Sequence, residues 1–158
     1  MSNYSYGKVV QDFASRTKEN LAFIEKNLTK PGVEVYEVTQ LVNSLLGLLV
    51  FPQQEFFEKI PEIPMRDLEA QGWPRIHTDP QHKPLGDLKT FLRYFRNGIS
   101  HFNIKFSADD NNNITGIQIW NHKGGKKQNP KNWEIELSLN DLKIITEKFL
   151  ELIEKEIK

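Results

Sequence analysis

Apolar residues recur at helical spacing over four stretches of this chain and alternate over three shorter ones. Val9, Val10, Phe13, Leu21, Ile24 and Leu28 are separated by polar residues at a period near 3.6, which predicts a helix over residues 8–28. Lys30-Pro31-Gly32 breaks it. Val38, Leu41, Val42, Leu45, Leu46, Leu48 and Leu49 give residues 36–51 a broad apolar face, that of the most buried helix, and Pro52 stops it. Residues 53–60 have room for one or two further turns. Residues 61–86 read as irregular, because Pro61, Pro64, Pro74, Pro80 and Pro84 interrupt them, yet Ile63, Met65, Leu68 and Trp73 predict packing rather than disorder.

A third long helix is expected from residue 85 or 87 to 101. Leu88, Phe91, Leu92, Phe95, Ile99 and Phe102 form its stripe, and Asp87 stands in its first turn, where a negative charge suits the helix dipole. Beyond Phe102 the period changes to two. Residues 103–107, 114–120 and 133–137 alternate, separated by Asp109-Asp110-Asn111-Asn112-Asn113 and by a loop over 123–131 containing Gly124, Gly125 and Pro130. Three antiparallel strands are expected. Ser138 followed by Asp141 reads as a capping box for a last helix over 139–157, with Leu142, Ile145, Phe149, Leu152 and Ile157 on its buried face. The fold class is therefore mainly α, a bundle of four or more helices, with a small three-stranded antiparallel sheet over 103–137 inserted before the last helix. The 158 residues suit one domain, 1–158, with a core of its own.

Charge balance narrows the function classes. The chain has 21 basic and 21 acidic residues, so a nucleic-acid site would be a local patch and not a global field. It has no cysteine, which removes disulfides, a thiol nucleophile and cysteine-ligated zinc. No basic stretch followed by an apolar run opens the sequence, and the longest apolar run, 45–51, is far below the roughly 20 residues of a membrane helix. A cytoplasmic protein with no membrane partner is expected.

The candidate chemistry lies in Arg96-Asn97-Gly98-Ile99-Ser100-His101, off the apolar stripe of the third long helix. A guanidinium binds phosphate and stabilises charge growing on it. An imidazole moves protons near neutral pH. Together they suffice to cleave RNA without a metal. His101 could take the proton of a ribose 2′ hydroxyl or protonate the leaving 5′ oxygen, and Asn97 could orient either partner by hydrogen bonds. Arg96 and His101 are five apart, about 140° around an ideal helix. Convergence on one phosphate therefore needs help. Either Gly98 loosens or ends the helix so that His101 swings, or two copies of the helix meet across a two-fold axis, with Gly98 allowing the close approach. The plainer alternative is an ordinary solvated surface.

The pattern Arg-Asn-x-x-x-His near the end of a long helix, in a mostly helical domain of this size, resembles the HEPN superfamily. Arg96, Asn97 and His101 match its signature residue by residue. Asn43, within Leu41-Val42-Asn43-Ser44-Leu45-Leu46, is similar to the polar residue that its second helix often turns to the site. The likeness covers residues 8–102 and 139–157, and the strand-rich stretch 103–137 departs from it. The resemblance implies a metal-independent endoribonuclease acting on RNA as a homodimer, without cofactor or metal, in many members a toxin or phage-defence effector with an antitoxin protein as partner. It also allows a non-catalytic protein- or nucleic-acid-binding dimerisation module.

Weaker signals surround the motif. Asn43 could face the same cleft or be a buried asparagine satisfied by backbone. Arg93 lies one turn before Asn97 and could touch phosphate or simply be solvated. Lys123, Lys126, Lys127 and Lys131 crowd one loop between Trp120 and Trp133, which could grip single-stranded RNA by charge and stacking, or be a soluble hairpin tip. His77, Asp79 and His82 match no strong metal spacing, and no metal site is expected.

Overall fold

A computed structural model describes residues 6–50, 54–76, 81–82, 84–110 and 113–156 of the chain. The 3.6-residue periods become helices α1 (Tyr6–Asn27), α2 (Glu37–Val50), α5 (Leu88–Ser100) and α6 (Leu139–Glu156), with two short helices between them, α3 (Gln54–Lys59) and α4 (Met65–Leu68). The alternating stretches become β1 (Ile104–Ala108), β2 (Ile114–His122) and β3 (Lys131–Ser138), one antiparallel sheet in the order β1-β2-β3. The molecule is thus mainly helical, with a three-stranded antiparallel sheet before the final helix. Leu46 as a core side chain, Pro52 as the stop of α2, Asn111 and Asn112 in the β1–β2 turn, and Ile157 fall outside what is described.

Chain chemistry accounts for the ends of these elements. Asp87 is the N-cap of α5 rather than a first-turn residue: its Oδ1 accepts from Thr90 N at 2.7 Å. The expected capping box closes α6, with Asp141 N donating to Ser138 Oγ at 3.1 Å and Ser138 N to Asp141 Oδ2 at 2.9 Å. The proline-rich stretch holds more order than its composition suggests. Its backbone is tied to the start of α5 by Leu88 N donating to Ile63 O at 2.9 Å and Met65 N to Gly86 O at 3.3 Å, and Leu68 and Trp73 are buried as expected.

Helix α2 packs against α1, α5 and α6, while α6 reaches the sheet through β2 and β3. In register, Ile117 faces Leu137, Ile119 faces Ile135 and Asn121 faces Trp133, all buried, so the sheet has one face on the helices. The opposite face carries Gln118, Glu134 and Glu136, as expected of a half-solvated antiparallel sheet. One hydrophobic cluster runs from Val10 to Ile153 through both helices and sheet, so strands 104–138 share the helices' core. Among the described residues no helix is long and apolar enough to cross a membrane.

Two aromatic assignments are corrected. Trp133 is fully buried, edge-on to Tyr94 at 5.8 Å and to Phe91 at 6.3 Å, and so is unavailable to stack on RNA. It belongs to the inward series of β3, where the two-residue period puts it with Ile135 and Leu137. Phe102 does not continue the α5 stripe but is 74% exposed, because the helix ends before it.

Candidate active site at the end of α5

Helix α5 is held from two sides. Its apolar stripe, Leu88, Phe91, Leu92, Phe95 and Ile99, is buried. Gly98 lies against β2: a Cβ there would stand 2.3 Å from Ile119 Cγ2 and 3.2 Å from Trp120 O. Gly98 neither loosens nor ends the helix, which continues to Ser100. Its missing side chain is used within the chain, to seat α5 on the sheet, and not at a helix pair as the sequence suggested. The polar series Arg93, Arg96, Asn97, Ser100 and His101 is thereby left on the outer side of the last turns.

The helix terminates in a Schellman arrangement. Phe102 N donates to Ile99 O at 3.0 Å and Asn103 N to Gly98 O at 2.8 Å, with Phe102 in the left-handed region at φ 56°. His101 is the C-cap residue, at φ −93° and ψ 4°, its N–H bonded to Asn97 O at 3.0 Å. Asn103 is buried and its carbonyl accepts from Trp120 N at 3.1 Å, which ties the turn to β2. The exposed His101 therefore projects from a backbone fixed on both sides.

Arg96 is half-buried, and its guanidinium lies over the Phe57 ring of α3 at 4.9 Å from the centroid. Beside this cation–π contact, the N–H donors of Arg96 make no hydrogen bond among the described residues. Among the described residues neither Arg96 nor Arg93 has a carboxylate partner, whereas Arg66 pairs with Asp67 at 3.6 Å and Arg75 with Glu69 at 3.4 Å; Arg16, far along the chain on α1, is the other unpaired arginine. The side chains of Asn97 and His101 likewise have no hydrogen-bond partner among the described residues. On an electrically neutral chain, the end of α5 thus carries two arginines without an ion pair among the described residues.

The remaining candidates divide. Arg93 is exposed one turn before Asn97, on the same helix. Asn43 is exposed on α2, so it is not a buried asparagine satisfied by backbone; the buried polar residue of that helix is Ser44, whose Oγ accepts from Gln40 Nε2 at 3.4 Å. Lys126 and Lys127 are exposed in the β2–β3 connection. Because Gly98 meets Ile119 and Trp120 while Asn121 Nδ2 donates to Tyr94 O at 2.5 Å, β2 runs antiparallel to α5. Its lysine-bearing tip accordingly lies toward the Tyr94 side, away from His101. Lys131 Nζ sits 4.6 Å over the Trp120 ring and pairs with Glu134 at 2.8 Å, so that tryptophan face is already covered. His77 and Asp79 lie outside the described residues, and among the described ones no three His, Asp or Glu converge as a metal would require. Two neighbours of the motif escaped the sequence reading. Phe57 carries no spacing signal, since its contact joins two elements; Phe102 was assigned to the buried stripe of the helix, because its spacing fits one, and not to the exposed surface beside the motif.

A helical bundle whose penultimate long helix ends in Arg-Asn-x-x-x-His defines a HEPN-type domain. The family model described as HEPN pEK499 p136 matches residues 1–158, and the chain belongs to that family. Among curated proteins and solved structures nothing matches.

Proposed function

We propose that the protein is a metal-independent endoribonuclease whose site is built by two copies of the chain, each contributing the end of α5. The observation that carries this is Arg96: a guanidinium held over an aromatic ring, with no hydrogen bond or ion pair among the described residues, on the same helix end as an imidazole likewise without a partner among them. The ring fixes position, and those N–H donors suit two phosphate oxygens. In the reaction, the ribose 2′ oxygen attacks phosphorus as its proton passes to one imidazole. The bond from phosphorus to the 5′ oxygen breaks, and that oxygen receives a proton from an imidazolium. A 2′,3′-cyclic phosphate and a 5′ hydroxyl result. Within one chain no hydrogen bond joins the side chains of Arg96 and His101, whereas a two-fold pairing of helix ends would bring two imidazoles and two guanidinia to one cleft. Asn97 orients the phosphate or the imidazole, and Arg93 extends the anion-binding surface; Asn43, Lys126 and Lys127 are weaker contacts for more distant RNA. A toxin or phage-defence role, with an antitoxin partner, is the biological setting that fits such an activity.

The test is cleavage of single-stranded RNA and transfer RNA in EDTA. The wild type is expected to cut RNA and to leave the corresponding DNA intact, since DNA lacks the attacking hydroxyl. His101→Ala is expected to lose about 10²-fold or more in rate, the scale of a positioned acid or base. Intact RNA with the wild type, or equal rates for both proteins, removes the proposal. A non-catalytic binding module of the same fold is the second reading. The stacking of Arg96 on Phe57 favours it, because that contact gives Arg96 a task inside the chain. It expects no cleavage and unchanged binding by His101→Ala.

A further inference from the structure

We propose that Phe102 is a stacking platform for a nucleobase of single-stranded RNA bound at the end of α5; the proposal rests on RNA being what this site takes. The ring directly follows His101 in the chain, is 74% exposed, and has no ring or cation contact among the described residues. Its backbone occupies the left-handed position of the Schellman turn at φ 56°, where glycine or asparagine is the ordinary occupant and a bulky side chain is an outlier. Among the described residues, no ring or cation meets this solvent-facing apolar ring on its strained backbone. Both features are accounted for if the ring meets something outside the chain.

The surroundings indicate what that is. Arg93 and Arg96 bring positive charge without carboxylate partners, and Asn97 and His101 bring unspent polar groups. An exposed aromatic ring directly after His101, at the end of the helix that carries Arg96 and Asn97, supplies the kinds of group a single-strand site uses, where phosphates are held by charge and bases by stacking. A protein interface would call for a broader apolar surface around the ring. The next exposed aromatic along the chain, Phe106, lies four residues on, in β1, beyond the turn that ends α5. A base on Phe102 would hold the nucleotide next to His101 and limit rotation of its ribose.

Binding of a fluorescently labelled, mixed-sequence single-stranded RNA is measured by anisotropy with the intact chain carrying His101→Ala, which leaves the probe uncut. Adding Phe102→Gly is expected to weaken binding about tenfold or more, and Phe102→Trp to preserve it. Glycine suits the left-handed position, so the variant folds, and thermal unfolding checks this. A probe with abasic positions is expected to bind His101→Ala more weakly while leaving the Phe102→Gly combination little changed. Equal affinities with and without the ring overturn the proposal, as does failure of the His101→Ala protein to bind RNA. It is also overturned if Phe102→Gly dissociates paired chains and RNA binding falls only in step with that, which would assign the ring to a protein contact. The two ideas fail separately. Uncut RNA in the cleavage assay together with ring-dependent binding removes the nuclease and keeps the platform; cleavage together with ring-independent binding does the reverse.

Discussion

Arg96 illustrates how one side chain can serve fold and chemistry together. Its guanidinium lies 4.9 Å over Phe57, a buried ring of α3, and that contact turns a flexible four-bond side chain into a fixed donor. Lysine could keep the charge but not the planar fork or the stacking. Arg96→Lys is accordingly expected to lower RNA cleavage about 10²-fold, the usual scale for losing a placed donor to transition-state charge, with a small change in melting temperature. Retention of full rate would show that only charge matters at that position. Phe102 illustrates the opposite case. A left-handed backbone costs a non-glycine residue roughly 1–2 kcal/mol, part of which glycine returns through its freer unfolded chain. Phe102→Gly is therefore expected to raise the melting temperature by a few degrees, about 2–4 °C per kcal/mol in a chain of this size. A fall on calorimetry would mean that the exposed ring contributes to the fold after all.

At the scale of elements, α5 is where packing and site meet, and Gly98 is the hinge of that arrangement in composition, not in motion. Alanine has the higher helix propensity, by roughly 1 kcal/mol. Here its Cβ would stand 2.3 Å from the Cγ2 of the fully buried Ile119, and overpacking of that kind costs about 1–3 kcal/mol. Gly98→Ala is expected to lower the melting temperature, and Ile119→Ala, which deletes the clashing methyl, to make the second change less damaging than the two single losses summed. Additive losses in the double-mutant cycle would refute the contact. The same elements show what a sequence discloses. Helices α1, α2, α5 and α6 and the three strands were legible because their burial follows a fixed period, as Leu88, Phe91, Leu92, Phe95 and Ile99 do on α5. The capping box at Ser138 and Asp141 was legible because capping is local. Short α3 fell where residues 53–60 left room for one or two turns, while α4 was obscured by prolines, whose effect depends on neighbours such as Ile63 and Leu88 across the turn. The Arg96–His101 pattern was visible as spacing, while Phe57 beneath Arg96 and Ile119 against Gly98 were not, since contacts between elements leave no mark on periodicity.

For the whole molecule, the decisive quantity is where charge stays uncompensated. The chain is neutral overall, and Lys131, Lys143 and Lys148 are spent in ion pairs with Glu134, Glu37 and Glu151. Arg93 and Arg96 are not spent among the described residues, nor are Lys123, Lys126 and Lys127 of the β2–β3 connection, so the end of α5 is one of the places where a phosphate chain would meet unpaired cations. Because one chain sets its guanidinium against Phe57 and its imidazole at the helix terminus with no bond between them, the composite site makes a demand that a single-chain site would not. Suppose the shared cleft holds two such sites related by the two-fold axis, each taking its essential Arg96 from one copy and its essential His101 from the other. Then Arg96→Ala and His101→Ala proteins, each inactive alone, would restore one intact site per mixed pair. With random exchange about half of the pairs are mixed, and each has one working site of two, so an equimolar mixture is expected to recover about a quarter of wild-type cleavage. The measurement is RNA cleavage in EDTA after the two variants have been mixed and allowed to exchange subunits. Recovery near a quarter assigns the two groups to opposite copies. A mixture as inactive as its components, under conditions where exchange is verified by a size-tagged copy, places Arg96 and His101 of the same chain at one phosphate, and the helix end of each copy would then act on its own.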